Sequence, residues 1–116
     1  MNLFLKERKK ISNIKYIFCS DKQLIIINNT FLKHDYYTDV ISFNLARPKE
    51  DIEAEIYISI DRVRENAINE GVSYKEELHR VIFHGTLHLC GYNDKKGEEI
   101  ARMRKTENKY LKLYFK

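Results

Sequence analysis

The stretch Ser73–Asp94, SYKEELHRVIFHGTLHLCGYND, decides how this chain folds. Ser73 followed by Glu76 is a capping-box pattern, in which the hydroxyl serves the third amide and the carboxylate returns to the first. The helix it opens is expected to run to Cys90, with Gly91 as its left-handed terminator. Leu78, Val81, Ile82 and Leu89 make one apolar stripe along it, and Phe83, Leu87 and Cys90 make a second on nearly the opposite side. A helix apolar on two sides belongs at the centre of a fold, with other elements packed on both flanks.

Those flanking elements can be read outward. Upstream, Ile14–Phe18 is aromatic and β-branched enough to be a strand. Asp21 offers an N-cap before Leu24–Ile27, a run whose propensity favours a strand while Leu24, Ile27 and Phe31 fit one helical face. Thr38–Phe43 and Glu55–Ser59 read as strands, and Ala46–Ile52, which holds the only proline, reads as a loop. From Asp61 the period becomes helical: Val63, Ala67 and Ile68 share a face, and Gly71 stops it. Downstream, about Glu98–Leu113 forms a last helix, with Ile100, Met103, Tyr110 and Leu111 inward. Leu3–Lys10 reads as a helical fragment. The order predicts an α+β fold, a small mixed β-sheet packed against helices with a buried central helix.

The 116 residues suit one domain, read as a single unit over residues 1–116. No apolar run approaches the roughly 18–20 residues that span a bilayer, and the charges of Met1–Lys10 follow its short apolar run, unlike a secretory signal. A cytoplasmic location is therefore expected. Cys19 and Cys90 are too few for a zinc knuckle, and Cys90 reads as a small buried hydrophobe. The formal charge of +4 is compatible with a polyanionic partner, nucleic acid first, yet lysine-rich usage alone says little.

The chemistry lies in His84 and His88. Residues four apart on a helix project from one face, so two imidazoles so placed can hold one metal ion. Gly91 lets the chain reverse and bring Asp94 to the same ion. Three protein ligands leave a fourth position for water, as in catalytic zinc sites. Zinc suits this borderline nitrogen and oxygen set, with nickel, cobalt and iron the other divalent options. A zinc protease carries Glu directly after the first His as general base. Here that residue is Gly85, which argues against peptide hydrolysis.

His84-Gly85-Thr86-Leu87-His88-Leu89-Cys90-Gly91-Tyr92, followed by a third ligand, resembles the YbeY family of bacterial rRNA-maturation endoribonucleases. Asp35-Tyr36-Tyr37-Thr38-Asp39-Val40-Ile41-Ser42-Phe43 is similar to that family's Asp-x-x-Thr-Asp-Val-Leu-Ser-Phe strand. Ala54–Ser59 resembles its Gly-Asp-Ile strand, Glu77-Leu78 its Glu-Leu before the metal helix, and Met103 with Glu107 its C-terminal Met…Glu helix. The likeness runs from about Asn13 to Leu111. It implies a metal-dependent, single-strand-selective RNA hydrolase in small-subunit rRNA 3′-end maturation and ribosome quality control. The implied partners are RNA, the ribosome and its assembly proteins.

Three departures stand out. The common family motif ends in Asp-His, whereas the spacing here places Asp94 at the third ligand; a carboxylate adds negative charge and weakens the ion's Lewis acidity. Leu32 stands where many members carry an RNA-binding arginine, and neither Lys33 nor His34 reproduces a bidentate guanidinium. The N-terminus reads as shortened, with Leu3–Lys10 the remnant of the family's first helix.

The expected mechanism runs through a zinc ion on His84, His88 and Asp94 that polarises a phosphate oxygen, activates water, or both. No side chain is assigned as general base. Lys33, His34, Arg62, Arg64 and Arg80 are the candidate RNA contacts. The alternative is a ribosome-assembly binding factor whose metal is structural, which should show four protein ligands. A zinc-dependent hydrolase of small molecules should instead show a closed apolar pocket.

Overall fold

The computed structural model describes Leu3, Glu7 and residues 10–34, 37–47 and 50–115. Its elements are β1 (Ile11–Cys19), α1 (Asp21–Leu32), β2 (Val40–Asn44), β3 (Ile52–Ser59), α2 (Ile60–Glu70), α3 (Tyr74–Leu89) and α4 (Gly97–Tyr114). The architecture is α+β, as expected. The sheet has the order β1-β3-β2, with β1 parallel and β2 antiparallel to the central β3, so it is mixed. β3 begins at Ile52, which closes the expected Ala46–Ile52 loop one residue early because Ile52 pairs with Ile11 on β1. Of the Leu3–Lys10 fragment, only Leu3, Glu7 and Lys10 lie within the described residues.

The run Leu24–Ile27 is helical, and its cap explains why. Ser20, rather than the expected Asp21, is the N-cap: its Oγ accepts from Gln23 N at 3.1 Å while Gln23 Oε1 accepts from Ser20 N at 2.9 Å. This reciprocal pair satisfies two donors that a helix start leaves open, and it outweighs the β-branched propensity of three isoleucines. Asp21 instead ties two helix starts together. Its Oδ1 accepts from Ser59 Oγ at 2.6 Å and its Oδ2 from Arg62 Nη2 at 2.8 Å.

The α3 helix lies across one face of the sheet and touches α2, α4, β2 and β3. Its two stripes fill two cores. Val81 joins Ile56, Ile58 and Val63, whereas Phe83, Leu87 and Cys90 join Ala54, Met103, Tyr110 and Leu111. Close approach to the sheet depends on Gly85. A Cβ there would stand 2.9 Å from Val40 Cγ2 and 3.1 Å from Ile56 Cγ2. Ser42 Oγ then donates to Gly85 O at 2.9 Å, pinning the helix to β2.

Three residues expected inside are outside. Phe31 is 67% exposed, Ile68 76% and Ile100 52%. On α1 the inward line passes through Leu24 and Asn28, four apart, so Phe31 lies at its rim against the edge of Phe43. On α2 that line is Val63 and Ala67, which leaves Ile68 outward. Ile100 sits in the first turn of α4, at the mouth of a cleft rather than under α3. None of the helices among the described residues is long and apolar enough to cross a membrane.

Candidate metal centre

The α3 helix begins at the expected cap, Ser73, whose Oγ accepts from Glu76 N at 3.0 Å, the hydroxyl half of the expected capping box. Its last helical residue is Leu89, and Cys90 caps it. Gly91 takes φ +100°, Gly91 N donates to His88 O at 3.1 Å, and Tyr92 N donates to Leu87 O at 3.1 Å. This is the Schellman pattern, in which a left-handed residue lets two amides satisfy the helix's last carbonyls. The reversal returns Asp94 to the face carrying His84 and His88.

There the three side chains meet. His84 Nε2 lies 3.1 Å from Asp94 Oδ2 and 3.1 Å from His88 Nε2, and His88 Nε2 lies 3.4 Å from Asp94 Oδ2. Among the described residues these three form the only cluster of at least three His, Cys, Asp or Glu side chains able to share an ion. The spacing can be tested against a tetrahedron. With zinc bonds of about 2.0–2.1 Å, adjacent donors stand about 3.3–3.4 Å apart, so this donor set fits. The chemistry agrees. His84 Nδ1 is 2.6 Å from Glu107 Oε2, so it donates its proton there and, in the neutral ring, Nε2 presents a lone pair. A lone pair, a second imidazole and a carboxylate oxygen converging this closely call for a positive species between them.

Charge is concentrated here. Burial pushes the His84 imidazole down, but its hydrogen bond to Glu107 and the charges of Glu107, Asp39 and Asp94 outweigh that, lifting it above 6.5. Burial raises the Asp39 carboxyl above its usual range despite the opposing His84 charge and the hydrogen bond from Asn66 Nδ2, which is 3.0 Å long. Cys90 is buried in the core with Leu87 and Met103 and is no part of the donor cluster.

Two clefts flank the cluster. The first has a volume of about 430 Å³ and includes Arg80, Met103, Arg104 and Glu107 in its walls. The second, about 390 Å³, includes Leu32, His34 and Ser42. Asp39, His84 and Asp94 belong to both. Of the candidate RNA contacts, His34 therefore lies in the second cleft and Arg80 in the first. Lys33, Arg62 and Arg64 line neither. Lys33 ends α1 in the left-handed conformation at φ 60°. Arg62 is held by Asp21 and lies over the Tyr37 ring, and Arg64 lies over Tyr74. Arg80 is engaged by two buried carboxylates, with Nη1 3.2 Å from Glu107 Oε1 and Nε 3.8 Å from Glu77 Oε1. Sequence reasoning assigned no role to Asp39, Asn66, Arg104 or Glu107. Only the likeness to the family's strand and C-terminal helix drew attention to Asp39 and Glu107.

A sequence model of the family described as Endoribonuclease YbeY matches residues 1–114. The chain belongs to the YbeY family. Curated relatives with that description include one from Cytophaga hutchinsonii, 50% identical over 108 residues that span 93% of this chain and 76% of the relative. Another, from Flavobacterium psychrophilum, is 49% identical over 113 residues, covering 97% and 80%. The chain thus spans about three-quarters of the length of these family members. A solution structure of a Thermotoga maritima protein is 31% identical and superposes with a TM-score of 0.63 over 92% of this chain and 70% of that one.

Proposed function

We propose that this chain is a metal-dependent endoribonuclease that cuts single-stranded RNA in small-subunit rRNA 3′-end maturation and ribosome quality control. Its resident metal is zinc, one per chain, held by His84, His88 and Asp94. The observation that carries this reading is the convergence of three lone-pair donors, at near-tetrahedral spacing, where two open clefts meet. The YbeY relatives, described as endoribonucleases, supply the substrate class.

When bound, the ion supplies Lewis acidity to a phosphate oxygen and lowers the pKa of a water. The chain's residues do the rest. His84 and Asp94, common to both clefts, place the scissile phosphate between nucleotides seated on either side. Such positioning of one strand is a large part of the rate. Arg104 in the first cleft and His34 in the second are the basic side chains placed to contact flanking phosphates. Arg104 is half-exposed and only loosely paired with Glu70 and Glu107, at 3.9 and 4.0 Å. Arg80 is neutralised by Glu77 and Glu107, so its part is internal. Asp39 belongs to both clefts and holds a proton more readily than a surface carboxyl, which suits it to exchange one with the substrate. The RNA partner implies contact with the ribosome and its assembly proteins.

The assembly-factor reading requires a closed site with four protein ligands, and among the described residues the cluster has three. The small-molecule reading requires a closed apolar pocket, whereas both clefts are open and edged with charged groups. Cleavage of single-stranded and duplex RNA, with chelator and after zinc is restored, tests the proposal. We expect single-strand cutting that chelator abolishes and zinc rescues. Stoichiometric zinc without any cleavage would return the assembly-factor reading.

A further inference from the structure

We propose that Glu107 is the positioning residue that fixes His84 in its cation-binding tautomer, and that Arg80 holds Glu107 in place to do so. The inference rests on the metal-centre reading above and goes beyond its three ligands. Glu107 is 4% exposed and arrives from α4 on the buried line shared with Met103, Tyr110 and Leu111. Its two oxygens face different partners, and the half-exposed Arg104 adds a weaker pair to Oε1 with Nη1 at 4.0 Å. Oε2 takes the His84 Nδ1 proton at 2.6 Å, and Oε1 takes a proton of Arg80 Nη1 at 3.2 Å. The carboxylate cannot rotate without losing one of them. With Nδ1 committed as donor, the neutral His84 ring carries no proton on Nε2, and its lone pair faces His88 and Asp94.

Arg80 is itself anchored. Its side chain is 16% exposed, and Nε lies 3.8 Å from Glu77 Oε1, an oxygen with no hydrogen-bond donor of its own among the described residues. Glu77 precedes Arg80 by one helical turn and His84 by two, so α3 supplies both ends of the array and α4 its middle. His88 differs. Among the described residues its contacts are with His84 and Asp94, and no carboxylate orients its other nitrogen. The array therefore acts on one of the two imidazoles. A carboxylate behind a ligating histidine raises its basicity and fixes its ring, and losing such a partner costs roughly 10–100-fold in metal affinity.

Two measurements on the full chain test this. Zinc affinity by chelator competition should fall about 10–100-fold in Glu107→Gln, a near-isosteric change, while circular dichroism shows the same fold. Arg80→Gln should lower it in the same direction by a smaller factor, and unchanged affinity there removes Arg80 from the array. Long-range ¹⁵N–¹H NMR of the zinc-loaded wild-type protein needs no variant. It should show His84 protonated at Nδ1 and metal-bound through Nε2. Wild-type affinity in folded Glu107→Gln, or zinc on His84 Nδ1, overturns the positioning role alone. If Glu107→Gln does not fold, the tautomer decides. A wild-type chain that takes up no zinc overturns the metal centre, and the positioning role with it.

Discussion

Asp94 reaches the histidines only because Gly91 turns the chain, and it is the one anionic member of the donor set. Asp94→Ala should therefore weaken zinc binding by more than the roughly 10–100-fold that losing an outer partner costs, and abolish RNA cleavage with it. Cys90→Ala should keep one zinc per chain and lose only roughly 1 kcal/mol of stability, because its thiol sits in the apolar core rather than among the donors. Elemental analysis of the two purified variants separates these outcomes. His84, His88 and Asp94 were legible because helical period and a glycine stop constrain where four-spaced side chains and the next loop can go. The His84–Glu107 contact was not, since 23 residues separate the partners and no local period links them. Phe31, Ile68 and Ile100 were misplaced for a related reason. Apolar character marks a face, but only the neighbouring element decides how wide a strip of it is covered.

The metal helix is set by two glycines with different tasks. At Gly85 a methyl group would meet Val40 and Ile56, so Gly85→Ala should be destabilising. Overpacking of about 1–3 kcal/mol opposes a helix-propensity gain of about 1 kcal/mol, leaving a net loss of about 1 kcal/mol on average in urea denaturation. The same contact explains why no general-base glutamate can follow the first histidine, an absence the sequence showed without its cause. At Gly91, φ +100° is a conformation that L side chains rarely adopt. Gly91→Ala should cost about 1–2 kcal/mol and weaken zinc binding as well, because it disturbs the turn that delivers Asp94. The Leu24–Ile27 run shows the limit of element reading. Its composition suited strand and helix equally, and the Ser20–Gln23 pair settled it.

Across the whole molecule, helix order could be read from periodicity, but the order β1-β3-β2 could not, because which strands pair depends on contacts far apart in sequence. Nor could the meeting of the two clefts at the metal cluster, which needs β2, α3 and α4 together. That buried charge should be visible in the stability of the metal-free protein. His84 is raised above 6.5, so its contribution is fully present below that pH and is lost as pH rises through the higher folded value. Asp39 is raised above 3.8, so its contribution is present below that pH and is lost as pH rises through the folded value. That window opens well below that of His84, which alone sets the difference near neutral pH. Urea midpoints measured with chelator should thus be lower at about pH 8 than at about pH 6. The stabilisation added by zinc should grow over the same interval, because the ion competes with the His84 proton. The most direct test of the shared cation is X-ray absorption at the zinc edge of the loaded protein. The account predicts one zinc per chain, with nitrogen and oxygen neighbours only, at about 2.0–2.2 Å. A sulfur neighbour near about 2.3 Å, or no zinc retained at all, would contradict it.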